Sequence, residues 1–444
     1  MNRLTIAYKS IRQRFLASSL TALSVALGVT LMVAVLVIHG IMDDMFSQTA
    51  TGYDLIVGPQ GSKIQLVLNS VYRISQPIEN MPYKYYRKIA DDHRVASALP
   101  LALGDTTEEG GFPILGTVPR YFTTPYMPNK KFRLRGELIR NHFDAIIGSH
   151  VAAANGWDVG SQFRMVHGGM DDGDHVHDEL FTIVGVLKQT GTPNDKTVFV
   201  HLDGFYLIDG HDKPLLEAIE RERAFMLKPP LTDEQRAEVQ AQADKAAAVH
   251  SHEITESQKE VTAILLTMKG DNVAERSMRA ISLQNELKEG NQAQAVNPVR
   301  QMRWLMDNIV GNVRVVLVVL TSLIIAVSSV SIFVSIYNSM ADRKREIAIM
   351  RALGASRTTV LTIVLSESIL LCLCGGVLGI LLGHGLVFAA APIVQARSGL
   401  LLDPFAFEQV ELVLLPALIV LASLVGFIPG LTAYRTDVAQ TLAE

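Results

Sequence analysis

The stretch Ala341-Asp-Arg-Lys-Arg-Glu-Ile-Ala-Ile-Met-Arg-Ala-Leu-Gly-Ala-Ser356 decides how this chain is organised. It lies between two long apolar runs, Val313–Tyr337 and Val360–Ala391. Each run is long enough to cross the hydrocarbon core of a membrane, which takes about 20 residues in a helix. The pattern therefore predicts a short basic helix, over residues 339–356, that connects two membrane spans.

The predicted connecting helix has recognisable ends and one amphipathic face. Ser339 and Asp342 fit a capping-box start, and Gly354 suits the left-handed position that ends a helix. Residues 341–357 contain five Lys or Arg and two acidic residues, a bias that places such a loop in the cytoplasm. The helix suits docking of a separate motor protein, although a loop that only sets membrane topology would share this charge pattern. The expected docking residues are Arg343, Arg345, Glu346, Met350, Arg351, Leu353 and Gly354.

Two further apolar segments, roughly Leu16–Ile38 and Leu412–Leu431, complete a set of four predicted spans. Four basic and no acidic residues precede the first span, which keeps the N-terminus inside. An uncleaved anchor is favoured over a cleaved signal peptide, because the apolar stretch exceeds a typical signal-peptide core. We expect residues 1–40 to form the N-terminus and first span, and residues 41–305 to lie outside. Residues 306–444 would hold the other three spans, with both termini cytoplasmic.

Residues 41–305 show the strand and helix patterns of a folded α/β domain. The predicted strands are Tyr53–Val57, Gln65–Leu68, Val95–Leu101, Phe112–Thr117, Phe143–Ile147, Phe181–Leu187, Thr197–Val200 and Ala263–Met268. The predicted helices are Pro82–Ala90, Gly148–Gly156, Leu215–Leu227, Thr232–Val249 and Val273–Leu287. Residues 203–260 are long and polar, and we interpret them as an insertion that is either a solvated excursion or a partner-binding arm.

Three motifs together carry a family resemblance: the loop Asp342–Ala355, the run Gly375–Gly379 that follows Glu367, and the ending Val425–Arg435. They resemble the FtsX-like permease family, the membrane subunits of MacB-type ABC transporters. The order of elements up to Ile183-Val-Gly-Val-Leu187 is similar to the MacB-like periplasmic core domain. The resemblance implies an α-helical membrane protein with four transmembrane helices and a large α/β extracytoplasmic domain inserted between helices 1 and 2.

The third span carries small residues and one charge. Gly375, Gly376, Gly379 and Gly383 form a face that allows close helix–helix packing within this chain or with a second copy. Glu367 is an ionisable residue inside a span and is therefore a functional candidate. Its position near the cytoplasmic end favours snorkelling or pairing with Arg351 or Arg357 over a proton relay.

Several activities are excluded for this chain. Its net charge of −4 predicts no nucleic-acid partner. Its two cysteines, Cys372 and Cys374, lie in an apolar run and indicate buried thiols, not a disulfide framework. No P-loop is present, since Gly58-Pro-Gln-Gly61-Ser-Lys63 has the wrong spacing. We therefore expect a non-catalytic chain that binds no cofactor itself, with ATP used by a partner ATPase.

Histidines are concentrated in one region, since seven of the twelve fall between His167 and His252. Two histidines separated by one residue in a strand project both rings to the same face, a geometry that metals exploit. Gly/Asp-rich runs between strands are, however, commonly plain hairpin loops. The residues that could bind a metal are His167, Asp171, His175 and His177.

The resemblance implies mechanotransmission, in which a separate cytoplasmic ABC ATPase drives motion of the extracytoplasmic domain. We expect a homodimer or heterodimer of permeases in the lipids of the bacterial inner membrane. It would export or release a lipoprotein, a peptide or a small hydrophobic molecule, and efflux would add a periplasmic adaptor protein. Two alternatives stay open: an FtsX-like signalling scaffold that activates an extracytoplasmic partner, and an extracytoplasmic metal sensor.

Overall fold

The computed structural model describes residues 3–49, 52–127, 130–167, 176–208, 210–211, 213–248, 254–342, 344–398 and 411–435. The chain divides into two compact units. The membrane unit consists of Met1–Asp43, Asp307–Ala396 and Leu401–Glu444. The inserted domain consists of Asp44–Met306 together with Arg397–Leu400.

Within the part of the chain that the structure describes, four helices are long and apolar enough to cross a membrane. Membrane helices 1 to 4 are Phe15–Thr49, Gly311–Asp342, Arg357–Ser398 and Glu411–Arg435. The prediction of four spans is therefore confirmed. A separate helix, Arg3–Gln13, precedes membrane helix 1, and a short helix, Lys344–Ala352, connects membrane helices 2 and 3. We call this connection the loop helix.

All four membrane helices contribute to one apolar core. Its buried members are Val25, Val29, Val33, Val37, Ile332, Ile336, Val364, Cys372, Val387, Leu418 and Ala422. Other faces of the same helices expose large apolar side chains, such as Leu27, Val319 and Phe388. Contiguous exposed apolar surface is typical of a membrane-facing surface.

The inserted domain is built around a mixed sheet. Its strands are β1 Leu55–Pro59, β2 Met81–Pro82, β3 Val95–Thr107, β4 Pro113–Thr117, β5 Leu134–Gly136, β6 Asp144–Ile147, β7 Gln162–Phe163, β8 Met165–His167, β9 Phe181–Leu187, β10 Val198–His201, β11 Glu260–Val261, β12 Ala263–Met268 and β13 Ala293–Val296. The main sheet has the order β13-β1-β12-β3-β4-β10-β6-β9-β5, with β8 on β3 and β7 on β9. Among the described strands, β2 and β11 form a separate antiparallel pair.

Helices cover this sheet and connect its strands. They are Lys63–Val67, the π-helical turn Leu68–Tyr72, Tyr83–Ala90, Arg120–Thr123, Ser149–Asn155, the 3-10 turn Pro193–Lys196, Leu202–Tyr206, Leu215–Phe225, Asp233–Ala248, Val273–Gly290 and Pro298–Leu305, with a π-helical turn Met306–Val310 before membrane helix 2. The last predicted helix, Val273–Leu287, is observed as Val273–Gly290. Its buried Leu283 packs in the same apolar core as Ile264 and Leu266 of β12.

Strand β3 joins two apolar cores of the inserted domain. Its first half, Val95–Leu101, pairs with β12, whose Ile264 and Leu266 belong to the core around the helix Val273–Gly290. Its second half, from Ala102 onward, pairs with β4 and β8 beside the core that contains Phe181. One continuous strand thus connects the two cores of the domain. Strands from distant parts of the chain pair with its C-terminal half, and their residues therefore meet there.

Two details of the predicted elements are corrected. The predicted strand Gln65–Leu68 is wrong, because Ser62 caps a helix there by accepting a hydrogen bond from the Gln65 amide at 3.3 Å. Within the polar insertion, the helix Asp233–Ala248 is largely exposed, but the helix Leu215–Phe225 buries Ala218 and Glu222. The Glu222 carboxylate lies 2.9 Å from Lys84 Nζ, which ties this helix to the domain.

Candidate functional site

The loop helix begins later than its sequence predicts. Membrane helix 2 continues through Asp342, so Ser339 and Asp342 lie in its last turn, and the predicted capping-box start at these residues is wrong. The end of the loop helix is a Schellman motif. Gly354 has φ +99°, its amide donates to the Arg351 carbonyl at 3.0 Å, and the Ala355 amide donates to the Met350 carbonyl at 3.0 Å.

The faces of the loop helix also differ from the prediction that Glu346, Met350 and Leu353 form one stripe along it. Ile347 and Ala348 are buried, and Ile347 forms a small apolar cluster with Val360 and the half-buried Met350. Ile349 and Leu353, four residues apart, have exposed apolar side chains. Leu353 is 84% exposed. The predicted stripe is therefore divided, because Met350 packs toward membrane helix 3 whereas Leu353 faces outward.

The other predicted docking residues are placed as follows. Arg351 is half-buried in the last turn of the loop helix. Arg343 lies outside the described residues, and only the backbone is described for Arg345 and Glu346.

The predicted small-residue face of membrane helix 3 packs against two helices of the same chain. A Cβ added at Gly375, Gly379 or Gly383 would lie 2.6 to 2.8 Å from the Cβ of a valine of membrane helix 1. The three valines are Val25, Val29 and Val33, which follow the same four-residue spacing as the glycines. Gly376 faces the other way, where an added Cβ would lie 2.5 Å from Leu418 Cδ1 of membrane helix 4.

The charged groups of the membrane helices have specific neighbours. Glu367 is buried, and its Oε1 accepts a hydrogen bond from Ser10 Oγ at 3.0 Å. The guanidinium of Arg357 lies over the Tyr434 ring at 5.7 Å. A pair that the sequence analysis missed joins His384 Nε2 to Glu411 Oε2 at 2.9 Å. The signal for it was a histidine inside one predicted span beside an acid at the start of the next.

The structure brings two of the predicted metal-binding histidines together with a third. His167, His177 and His211 each place one ring nitrogen within 4.8 Å of the others. The ring centroid of His167 lies 4.5 Å from that of His177 and 4.6 Å from that of His211. Asp171 and His175, the other two predicted ligands, lie outside the described residues. We call the three residues the histidine cluster.

A buried carboxylate supports the histidine cluster. Asp105 is 5% exposed, and its Oδ1 lies 2.9 Å from His167 Nδ1. This hydrogen bond raises the pKa of His167 above its ordinary value, and burial opposes that rise. Burial lowers the pKa of His211 to about 4, so this ring is neutral at neutral pH. Asp105 and His211 were not predicted from sequence, because they are far from His167 along the chain.

A second group of potential ligands is His142, His201 and Asp203. Its carboxylate is already engaged, since Lys259 Nζ lies 2.5 Å from Asp203 Oδ1. His201 Nδ1 also accepts a hydrogen bond from the Asp203 amide at 3.1 Å, which caps a helix. This group therefore has fewer groups available for a metal than the histidine cluster.

The four membrane helices among the described residues, with an α/β domain inserted after the first, define a multi-pass membrane protein that carries one large inserted domain. Residues 18–250 match the family model of the MacB-like periplasmic core domain, and residues 318–438 match that of the FtsX-like permease C-terminal domain. The chain belongs to the family of MacB-type ABC transporter permeases. The family resemblance expected from its motifs is confirmed.

Curated relatives agree with this family. The chain is 31% identical over 132 residues to the macrolide export ATP-binding/permease protein MacB of Bordetella avium, covering 29% of this chain and 20% of that one. It is 35% identical over 101 residues to the uncharacterized ABC transporter permease YknZ of Bacillus subtilis, covering 21% and 24%. The matched part spans about a fifth of the length of the MacB relative.

Two solved structures resemble the chain. One is the periplasmic region of MacB from Actinobacillus actinomycetemcomitans, with a TM-score of 0.32, 10% identity and coverage of 58% of this chain and 95% of that one. The other is the extracellular domain of the ABC-type transporter YknZ from Gram-positive bacteria, with a TM-score of 0.28, 11% identity and coverage of 55% and 98%.

Proposed function

We propose that this chain converts ATP hydrolysis by a separate cytoplasmic ATPase into motion of its inserted domain. The observation that carries this proposal is the loop helix, which joins two membrane helices and exposes Ile349 and Leu353 on one face. Its fixed C-terminal cap at Gly354 holds that face in place. An exposed apolar face on a basic loop suits docking into a cleft of the ATPase.

The proposed orientation follows from charge. The loop around the loop helix and the segment before membrane helix 1 are both basic, and basic loops stay in the cytoplasm. With four spans, both termini are then cytoplasmic, and the inserted domain lies on the opposite side of the inner membrane. This orientation puts the loop helix on the side where ATP is available.

The contacts of the membrane unit support a route for the motion. The buried face of the loop helix packs on Val360 at the start of membrane helix 3. Membrane helix 3 packs closely on membrane helix 1 through its glycines. Membrane helix 1 extends to Thr49, and the inserted domain follows it in the chain. A tilt of the loop helix would therefore reach the helix that leads into the inserted domain.

We propose that the chain works as a homodimer or heterodimer, in contact with membrane lipids and without a cofactor of its own. The substrate class proposed is a lipoprotein, a peptide or a small hydrophobic molecule. The relatives named for macrolide export support the last of these. In the efflux case, a periplasmic adaptor protein would be a further partner.

The decisive experiment changes the exposed face of the loop helix. Leu353→Asp should leave the fold intact, because Leu353 is 84% exposed. Docking would bury the new carboxylate without a partner, which costs about 3–5 kcal/mol and weakens binding by at least about 100-fold. The measurements are co-purification with the cognate ATPase and permease-stimulated ATP turnover in proteoliposomes.

Two control variants make this result specific. Leu353→Met keeps an apolar side chain there and should retain stimulation. Ile347→Asp disturbs the buried face on Val360, so it should lower the melting temperature as well as coupling. Full stimulation by Leu353→Asp would mean that the ATPase docks elsewhere, and the proposed role of the loop helix would be wrong.

A further inference from the structure

The histidine cluster has the composition and spacing of a metal site. His167, His177 and His211 offer three ring nitrogens that lie within 4.8 Å of one another. Three nitrogens bound at about 2.0–2.1 Å in a tetrahedral site are separated by about 3.3 Å, which small rotations of the rings would reach. Imidazole nitrogens are ligands that Zn²⁺ and Cu²⁺ prefer.

Asp105 orients one of these ligands. It holds His167 Nδ1 at 2.9 Å, which leaves Nε2 as the nitrogen directed to a metal. This Nε2 points toward the turn that carries His211, because a Cβ added at Gly210 would lie 3.9 Å from it. A carboxylate that fixes the ring of a histidine is the usual outer partner of a metal-bound imidazole.

The ring nitrogens of the buried His211 side chain are not fully satisfied by hydrogen bonds. Its side chain is 3% exposed, and among the described residues its ring nitrogens are approached by the Phe205 backbone and by Asp105 without good hydrogen-bond geometry. Its Nε2 approaches Asp105 Oδ2 to 3.3 Å without hydrogen-bond geometry. Buried polar groups of native proteins nearly always have a partner, and a metal ion would supply one here.

The cluster borders a cavity that an ion could enter. The cavity has a volume of about 250 Å³, and Asp105, His167 and His211 line one side of it. The other charged groups lining it are Lys213 and Glu260, and they lie 3.4 Å apart as an ion pair. Glu260 is shared with Arg221, whose Nε lies 3.1 Å from the same carboxylate oxygen. The cavity leaves room for a water molecule or another ligand at a fourth coordination position.

We propose that His167, His177 and His211 bind one divalent transition-metal ion in the inserted domain, with Asp105 as the positioning residue for His167. Zn²⁺ suits this set best, since three histidines with one open position are an established zinc geometry. Strand pairing explains how the site is assembled. Asp105 lies opposite His167 in the β3–β8 pair, and an isolated bridge between Val166 and Val176 brings His177 to the same place.

Metal binding would link three segments that are far apart in sequence. They are the end of β8, the segment at His177 and the turn at His211 beside the cavity. An ion would tie these three segments together at the edge of that cavity. This inference does not depend on the proposed transport function, because every residue in it belongs to the inserted domain.

The test uses the full-length chain purified in detergent and stripped of metal with a chelator. Zn²⁺ titrated against a chromophoric competitor should show one tight site per chain, and Zn²⁺ should raise the melting temperature. Asp105→Asn should weaken Zn²⁺ binding by about 10- to 100-fold, because it removes only the orienting group. His167→Ala, His177→Ala and His211→Gln should each weaken it further. His142→Ala, in the second histidine group, should bind like the wild type.

A second measurement uses only the wild-type chain, in case a buried variant fails to fold. Co²⁺ should give the intense visible bands of a four-coordinate site, and Zn²⁺ should protect His167, whose side chain is 42% exposed, from diethyl pyrocarbonate, as read by mass spectrometry. One-site binding that survives all three histidine substitutions would overturn the proposal. So would the absence of a tight site, weak six-coordinate Co²⁺ bands, or protection confined to other histidines.

Discussion

The contact between membrane helices 1 and 3 and the histidine cluster of the inserted domain are assembled in opposite ways. In the first, glycines spaced by four residues meet valines spaced by four residues, so one helical period describes the whole contact. In the second, Asp105 and His211 are the first and last residues, along the chain, of a set that spans residues 105–211 of the inserted domain. Strand register, and not any local repeat, brings that set together.

The difference shows which kinds of contact can be predicted from a sequence. A helix–helix contact repeats along one segment, so its small residues are visible as a pattern. A site on a sheet depends on which strands pair and in which register, and that information is not local. The two regions therefore need different tests. A larger residue should disrupt the helix–helix contact by steric overlap, whereas the histidine cluster should be disrupted by removing one of its members.

The largest expected effect concerns the side of the membrane on which each region lies. In a background with Cys372→Ala and Cys374→Ala, single cysteines at the exposed positions Glu234 and Ala352 would report the two regions separately. We expect a membrane-impermeant thiol reagent to label Glu234→Cys in spheroplasts and Ala352→Cys only after lysis. The reverse labelling would contradict the orientation and would place the loop helix away from ATP.

The next effect tests the glycine–valine contact. A Cβ at position 379 would lie 2.6 Å from Val29 Cβ and 2.7 Å from the Ala26 carbonyl oxygen. Gly379→Val should therefore destabilise the membrane unit by about 1–3 kcal/mol through overpacking. Gly385→Val is the matched control on the same helix, because nothing lies within 4 Å of its added Cβ. Equal melting temperatures for the two variants in detergent would mean that the close contact is not maintained in the protein.

The smallest effect tests a polar contact between neighbouring residues of the inserted domain, Asp92 and Arg94. Arg94 is 11% exposed and links Asp92 at 2.7 Å to Glu286 at 2.6 Å. Its hydrogen bonds lower the pKa of Asp92 to about 2. Asp92→Asn should cost about 1–2 kcal/mol at neutral pH, with the exposed Asp91→Asn as control.

The pH dependence of this contact has a definite sign. The pKa of Asp92 in the folded chain lies below its ordinary value of 3.8, so its contribution is fully present above that value. It is lost as the pH falls toward about 2. The difference in melting temperature between the wild type and Asp92→Asn should therefore shrink below pH 3.8. A constant difference across that range would show that Asp92 contributes through interactions that do not depend on its charge, and the ion pair with Arg94 would not be the cause.

Most of the architecture could be predicted, and the misses have physical reasons. The apolar runs located all four spans because a membrane requires long, continuous apolar helices. The segment Gln65–Leu68 was mistaken for a strand because a short apolar run does not distinguish strand from helix, and the Ser62 cap decided the outcome. The start of the loop helix was misplaced because Ser339 and Asp342 resemble a cap but continue the preceding helix.

By itself, the sequence determined the membrane helices, the inserted α/β domain, the close-packing glycines and two of the clustered histidines. These features depend on composition and on periods of two or four residues, which one segment carries alone. Only the tertiary structure decided that Met350 faces inward while Leu353 faces outward, and that Asp105 and His211 complete the cluster around His167. These outcomes depend on which segments pack together, because both the burial of a side chain and the distance between two side chains are set by residues that lie far apart in the sequence.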